Sequence, residues 1–161
     1  MLQEAGGYIT KDEHFGNCGK FKNIFLPSYN YTREVDYVSG ACFLIKKQLW
    51  SDLGGFDDIY LPAYFEDTDL CMRIRATGLK VMYNPLSCVL HFESITYGKG
   101  PSSKKEQQME KNRSKFIKRW KEELKKSHLS KEDCEKINYE RIGKNPTILY
   151  IDQEPPNDYA C

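Results

Sequence analysis

The segment Tyr64-Phe65-Glu66-Asp67-Thr68-Asp69-Leu70-Cys71-Met72-Arg73 places three carboxylates within four positions, behind two aromatic residues. Carboxylates at such density do two kinds of chemistry: one alone accepts a proton as general base, and several together hold a divalent cation. An amphipathic run follows and ends at Gly78. The acids therefore fall at a helix N-terminus, where free N–H groups and the positive end of the helix dipole favour negative charge. Asp69 and Arg73 stand four apart and can pair on the helix surface, a structural use of Asp69. Asp67 has Cys71 at that spacing, which leaves two uses open. It caps the first turn, or it faces a cleft and takes a proton. Asp67-Thr68-Asp69 also has the Asp-x-Asp form of a metal-holding loop, but on a helix residues i and i+2 diverge by about 200°, and the pair is rejected as a metal site.

His91, in Val89-Leu90-His91-Phe92-Glu93, is a metal ligand only if acidic partners reach it from elsewhere; alone it reads as a hydrogen-bonded structural residue. His14 and His128 lie in polar surroundings and receive no role. The six cysteines are scattered, with no Cys-x-x-Cys pair, and are expected to be free thiols.

Several elements must position these residues. Val35 to Ile45 is a mostly apolar run with β-branched and aromatic residues, which predicts a buried strand central to a sheet, with Gly40 at a bulge or a close backbone approach. Lys46 to Leu53 predicts a short helix stopped by Gly54-Gly55. The acidic helix runs from Glu66 to Gly78, and Lys80 to Tyr83 and Ser87 to Phe92 read as strands. Helix, glycine, strand is the α/β rhythm. The first 33 residues read as loops with one short strand around Gly7 to Thr10.

After a joint at 98–104, a long amphipathic helix is expected from Lys105 to Ser127, with Met109, Phe116, Ile117, Trp120 and Leu124 on one stripe. Lys104 to Lys126 holds ten basic residues against four acidic ones. The exposed face is therefore basic, a solvated surface or an attraction to phosphate or an anionic membrane. Lys131 to Ile142 reads as a polar, helical linker. Thr147 to Asp152 reads as a strand opening a further α/β domain.

With 161 residues and a net charge of +1, the chain is long enough for one cored domain and has no global pull toward nucleic acid. No apolar run approaches the roughly 20 residues of a membrane span, and the opening residues lack signal-peptide character. A soluble, cytoplasmic protein is expected.

Val38-Ser39-Gly40-Ala41-Cys42, Gly54-Gly55-Phe56-Asp57, the Tyr64 to Arg73 segment, Gly78, Asn84-Pro85, Val89-Leu90-His91, Asn112 and the Phe116 to Trp120 segment occur in an order and spacing that resembles the C-terminal half of a family 2 glycosyltransferase of the rhamnosyltransferase-like branch. The resemblance implies part of a GT-A fold, a mixed sheet with flanking helices. It implies inverting sugar transfer from a nucleotide-diphosphate sugar to a glycan or other acceptor hydroxyl, in polysaccharide or cell-surface glycan synthesis. It makes Asp67, with Glu66 beside it, the catalytic pair, and lays Gly40, Gly54, Gly55, Phe56 and Asp57 along the substrate site. It puts His91 in the shell of a divalent metal, Mg or Mn, whose main acidic ligands are not found in this chain.

On this reading residues 1–127 are the C-terminal half of the transferase domain, 128–146 a linker and 147–161 the start of a second domain. The parent enzyme works in the cytoplasm or at the cytoplasmic face of the membrane, and the isolated piece is inactive. The alternative is a non-catalytic module that docks through its basic helix on a membrane surface or a partner.

Overall fold

The computed structural model describes residues 1–91 and 103–136. Strands β1 (Gly7–Ile9) and β2 (Phe15–Asn17) form an antiparallel hairpin with Gly7 opposite Asn17. A second antiparallel ladder pairs β3 (Arg33–Glu34) with β4 (Met82–Tyr83). Four α-helices accompany them among the described residues: α1 (Lys47–Asp52), α2 (Glu66–Ala76), α3 (Ser103–Ser127) and α4 (Lys131–Lys136). The architecture is mixed α and β with small sheets, and both ladders are antiparallel where a mixed sheet was expected.

The predicted central strand from Val35 to Ile45 does not form. Val35 is buried and Tyr37 makes an isolated bridge to Gly7. The chain then turns at Ser39 to Cys42, where the Cys42 N–H donates to the Ser39 carbonyl at 3.3 Å, and Leu44 is 99 % exposed. Apolar residues after the turn serve a local cluster, in which Phe43 stacks on Trp50 and both contact Phe56. Of the predicted Ser87 to Phe92 strand, the described residues 87–91 are not a strand. The Asn84 carbonyl instead accepts from the Ser87 N–H in a turn. Phe92, the joint up to Ser102, the end of the predicted linker and the Thr147 to Asp152 strand lie outside the described residues.

The predicted helices form close to their expected bounds. Gly54 and Gly55 end α1 with φ of +75° and +68°, and Gly78 follows α2 with φ of +84°, the left-handed geometry that glycine takes without a Cβ clash.

The main core joins the hairpin to the long helix: Ile9, Tyr60, Met72, Phe116 and Leu124 are buried together, with Phe15, Phe65, Ile117 and Trp120 packed against them. Met109, expected on the same stripe, is 40 % exposed. Asn112, i−4 from Phe116, is fully buried in line with it. Lys104, Lys111, Lys118, Lys121 and Lys125 are exposed, as on a solvated helix face. No helix among the described residues is long and apolar enough to cross a membrane.

A smaller cluster of Val35, Cys71 and Val81 seats α2 on the second ladder. The chain is closed by contacts far apart in sequence. His128 is buried, with Nδ1 2.8 Å from the Ile9 carbonyl; the Lys11 N–H donates to Leu129, and the Lys131 N–H to Asp12.

Candidate active site

Helix α2 starts in an unusual way. Tyr64 and Phe65 both have positive φ, 79° and 74°, and Phe65 occupies the N-cap without a side-chain cap bond. Left-handed backbone at non-glycine residues costs of order 1–3 kcal/mol each and persists only where the surroundings enforce it. Here the buried amide of Asn112 does so: its Nδ2 donates to the carbonyls of Tyr60, Ala63 and Tyr64 at 2.6, 2.8 and 3.0 Å. The Lys115 ammonium adds bonds to the Ile59 carbonyl and to Asn112 Oδ1. The long helix thus shapes the loop that presents the acids.

Asp67 and Asp69 diverge, as the helical geometry requires. Asp69 points inward at 0 % exposure and is saturated. Its oxygens accept from Tyr60 Oη at 3.0 Å, Trp120 Nε1 at 2.8 Å, Arg73 Nε at 2.7 Å and Arg119 Nη1 at 3.0 Å. Arg119 also pairs with Asp57 at 2.8 Å, while Arg73 donates to the Leu53 and Gly55 carbonyls. This network ties the Gly54-Gly55-Phe56-Asp57 loop to α2 and α3. It also removes Arg119 from the free basic face to which the sequence assigns it.

Asp67 turns the other way. Its Oδ1 accepts from the Thr68 N–H at 2.6 Å, satisfying one free donor of the helix terminus, and its Oδ2 accepts from the Gly40 N–H at 2.8 Å. A Cβ built on Gly40 would stand 3.5 Å from Asp67 Oδ2 and 3.8 Å from Phe56 Cζ. Gly40, Phe56 and Asp67 are therefore close neighbours. A carboxylate oxygen with a single donor keeps a lone pair for a hydroxyl proton.

Glu66 is half-buried, with Oε2 shielded from solvent and without a hydrogen-bond partner. Burial raises its pKa above the usual value of 4.5, the nearby Asp67 charge adds to the rise, and N–H groups of Glu66 and Tyr64 oppose it. A raised native pKa stabilises the fold below about pH 4.5, and that contribution is lost as pH rises through the native value. At pH 7 a charged Glu66 is therefore a cost. Glu66→Gln is expected to raise the melting temperature at pH 7 by a few degrees, at about 2–4 °C per kcal/mol, and to give no gain at pH 4. Calorimetry at the two pH values checks this; an unchanged or lower Tm at pH 7 contradicts it.

Asp57 spends both oxygens internally. Oδ1 accepts from the Ile59 N–H at 3.0 Å and Oδ2 pairs with Arg119, and these two contacts, in that order, hold its pKa below the ordinary range. A polar recess of about 380 Å³ opens between Gly54, Phe56, Asp57 and Arg73. Gly55 sits against the Trp50 indole, where a Cβ would approach to 2.8 Å.

His91 is exposed, with Nδ1 3.2 Å from Gln3 Nε2. Among the described residues no three His, Cys, Asp or Glu side chains converge to hold a metal ion. The described residues alone therefore supply no set that could hold the divalent ion the resemblance implies. Cys18, Cys42, Cys71, Cys88 and Cys134 are free thiols.

Sequence reasoning missed Glu4, whose Oε1 accepts from the Ser39 N–H at 3.0 Å beside the Asp67 contact; no local pattern marks it. It also left Asn112 without a physical role, although its spacing of four from Phe116, and of eight and twelve from Trp120 and Leu124, puts it on the buried stripe.

The model of the family described as Glycosyltransferase like family 2 matches residues 20–115, more than half of the chain. The chain belongs to this family. The match takes in the Gly40 turn, the Gly-Gly-Phe-Asp loop and the whole of α2. Among its relatives, an N-acetylglucosaminyl-diphospho-decaprenol L-rhamnosyltransferase of Mycobacterium tuberculosis is 37 % identical over 71 residues, 44 % of this chain and 23 % of that protein. A galactofuranosyl glycosyltransferase of Leishmania donovani is 30 % identical over 87 residues, 53 % of this chain and 20 % of that protein. A rhamnosyltransferase of Escherichia coli is 33 % identical over 58 residues, 36 % of this chain and 22 % of that protein. This family 2 chain thus aligns with less than a quarter of the length of each of these relatives. No solved structure matches it.

Proposed function

We propose that this family 2 chain forms the acceptor side, and supplies the base, of an inverting glycosyltransferase. That enzyme moves a sugar from a nucleotide-diphosphate donor to an acceptor hydroxyl in glycan synthesis. One observation carries the reading: Asp67 Oδ2, held by a single backbone N–H, lies beside Gly40 and Phe56 at the Gly-Gly-Phe-Asp loop.

In the proposed reaction the acceptor oxygen attacks the anomeric carbon from the face opposite the diphosphate. The new C–O bond forms as the bond to the diphosphate breaks, and the leaving oxygen keeps that electron pair. The hydroxyl proton passes to Asp67 Oδ2, whose orientation is fixed by the Gly40 and Thr68 N–H groups before the acceptor arrives. The Gly54 to Asp57 loop, braced by Arg73 and Arg119, forms the wall along which the acceptor lies. The donor is bound by residues of the parent enzyme other than these, and residues 1–127 act as one half of its transferase domain. The brevity of both ladders supports this, because two-stranded sheets are marginal alone. By itself the chain is expected to transfer no sugar.

Gly40→Ala tests the reading in a full-length transferase carrying this sequence. The added methyl meets its neighbours at ordinary contact distances of 3.5 Å and more, so the fold should survive with Tm within about 2 °C. The methyl fills the approach to Oδ2, and transfer should fall about 10-fold or more. NMR of the wild-type product should show an inverted anomeric configuration. Unchanged kcat/KM in the variant, or a product with retained configuration, refutes the proposal.

A further inference from the structure

The turn that carries Gly40 is gripped twice. The Gly40 N–H donates to Asp67 Oδ2 at 2.8 Å, and the preceding N–H, that of Ser39, donates to Glu4 Oε1 at 3.0 Å. Two carboxylates from distant parts of the chain thus hold consecutive amides.

We propose that Glu4 is a positioning residue for Asp67, acting through the Ser39-Gly40 backbone. The inference rests on the proposed role of Asp67 only for its catalytic consequence; the positioning itself is a property of the folded chain.

Glu4 is well placed for this because the backbone beside it cannot move. Ala5 is fully buried; its N–H donates to the Cys18 carbonyl at 2.9 Å and its carbonyl accepts from Arg33 Nη2 at 2.8 Å. The Cys18 N–H donates to the Gly6 carbonyl, and the Gly7 N–H to the Tyr37 carbonyl, both at 2.8 Å. Arg33 is itself buried and surrounded by the rings of Tyr29, Tyr31 and Tyr83 at 5.4–5.8 Å. From this anchored start the Glu4 carboxyl reaches Ser39, fixing the first amide of the turn. The Ser39 Oγ then accepts from the Ala41 N–H at 3.2 Å. With the amides on either side of it held, Gly40 can aim its own N–H only at Asp67. Among the described residues, no other side chain bonds the Ser39 N–H.

The contact is also electrostatic. Glu4 from the N-terminal segment, Glu66 and Cys71 from the same helix and Tyr37 from the bridge to β1 all lie within reach of the Asp67 charge. Burial is the main cause that raises the Glu4 pKa, and the Asp67 charge adds to it, against the bond from Ser39. Asp67 itself accepts from the Gly40 N–H, the Thr68 N–H and the Thr68 hydroxyl. Loss of the Gly40 bond would release Asp67 Oδ2 from its fixed orientation.

The test uses backbone-amide hydrogen exchange on the 161-residue chain, comparing Glu4→Ala, Glu4→Gln and Glu4→Asp. Glu4→Gln keeps an acceptor oxygen for Ser39 and should leave Gly40 exchange at the wild-type rate. Glu4→Ala should speed Gly40 exchange about 10-fold or more, with the core amides of α2 unchanged. If Glu4→Ala fails to fold, Glu4→Asp, one methylene too short to reach Ser39, is the variant expected to show the faster exchange.

Gly40 exchange within twofold of wild type in a folded Ala or Asp variant overturns the proposal. So does a Gln variant that exchanges as fast as the Ala variant. In the full-length transferase, Glu4→Ala should lower kcat with donor KM unchanged, and Glu4→Gln should restore it. If the exchange results hold but turnover does not depend on Asp67, the assignment of the base fails and the positioning stands.

Discussion

Replacing Asp67 with Asn in a full-length transferase is expected to reduce sugar transfer by about 10²–10⁴-fold, the usual contribution of a positioned general base. Tm should stay within about 2 °C of wild type. The two effects separate because of where the side chain lies. An amide oxygen can still accept from Gly40 or Thr68, so the packing around the turn loses little. The amide cannot take up a proton, so the acceptor hydroxyl must attack without losing its hydrogen. The measurement is kcat at saturating donor and acceptor, with donor KM as the control. An Asn variant with wild-type kcat would remove Asp67 from the mechanism.

Two residues later the expected outcome is reversed. Asp69→Ala should unfold or nearly unfold the chain, at a cost of about 3–5 kcal/mol, because removing one partner of a buried ionic network strands the others. Arg73 and Arg119 would lose their shared carboxylate, and the buried Tyr60 hydroxyl and the Trp120 indole N–H would lose their acceptor. Against a total of about 5–15 kcal/mol for a typical domain, the loss is a large share. It corresponds to a drop of about 6–20 °C in Tm at this size. Thermal melts followed by circular dichroism check it. An Asp69→Ala variant that melts within about 2 °C of wild type would show that the network contributes little. The contrast between two aspartates two positions apart distinguishes a group held ready for chemistry from a group that holds the fold.

Much of this was legible in the residues. The acids at a helix start, the glycine stop at 78 and the four-residue spacing of Asp69 and Arg73 are local features, and local geometry decides them. The apolar run from Val35 to Ile45 misled because apolar character was read as a continuous strand. Its first half packs on α2, Gly40 turns the chain to meet Asp67, and Phe43 leaves to join Trp50 and Phe56. A turn dictated by a partner 27 positions away leaves no periodicity to read. Arg119 was hidden for a similar reason: among so many lysines its guanidinium looked like surface charge, whereas its forked donors bridge Asp57 and Asp69. Glu4 carried no signal, since its partner is a backbone amide and any residue supplies one.

The closing contacts between the hairpin and the region around His128 and Lys131 span 119 positions. On the ribosome, the loop that presents Asp67 emerges well before α3 brings Asn112 to hold its three carbonyls. Until then Tyr64 and Phe65 are free to leave their left-handed geometry. A nascent chain paused before Asn112 leaves the exit tunnel should therefore be open to proteolytic nicking between Leu61 and Phe65. The reactive end of α2 is thus made well before the residue that sets its geometry.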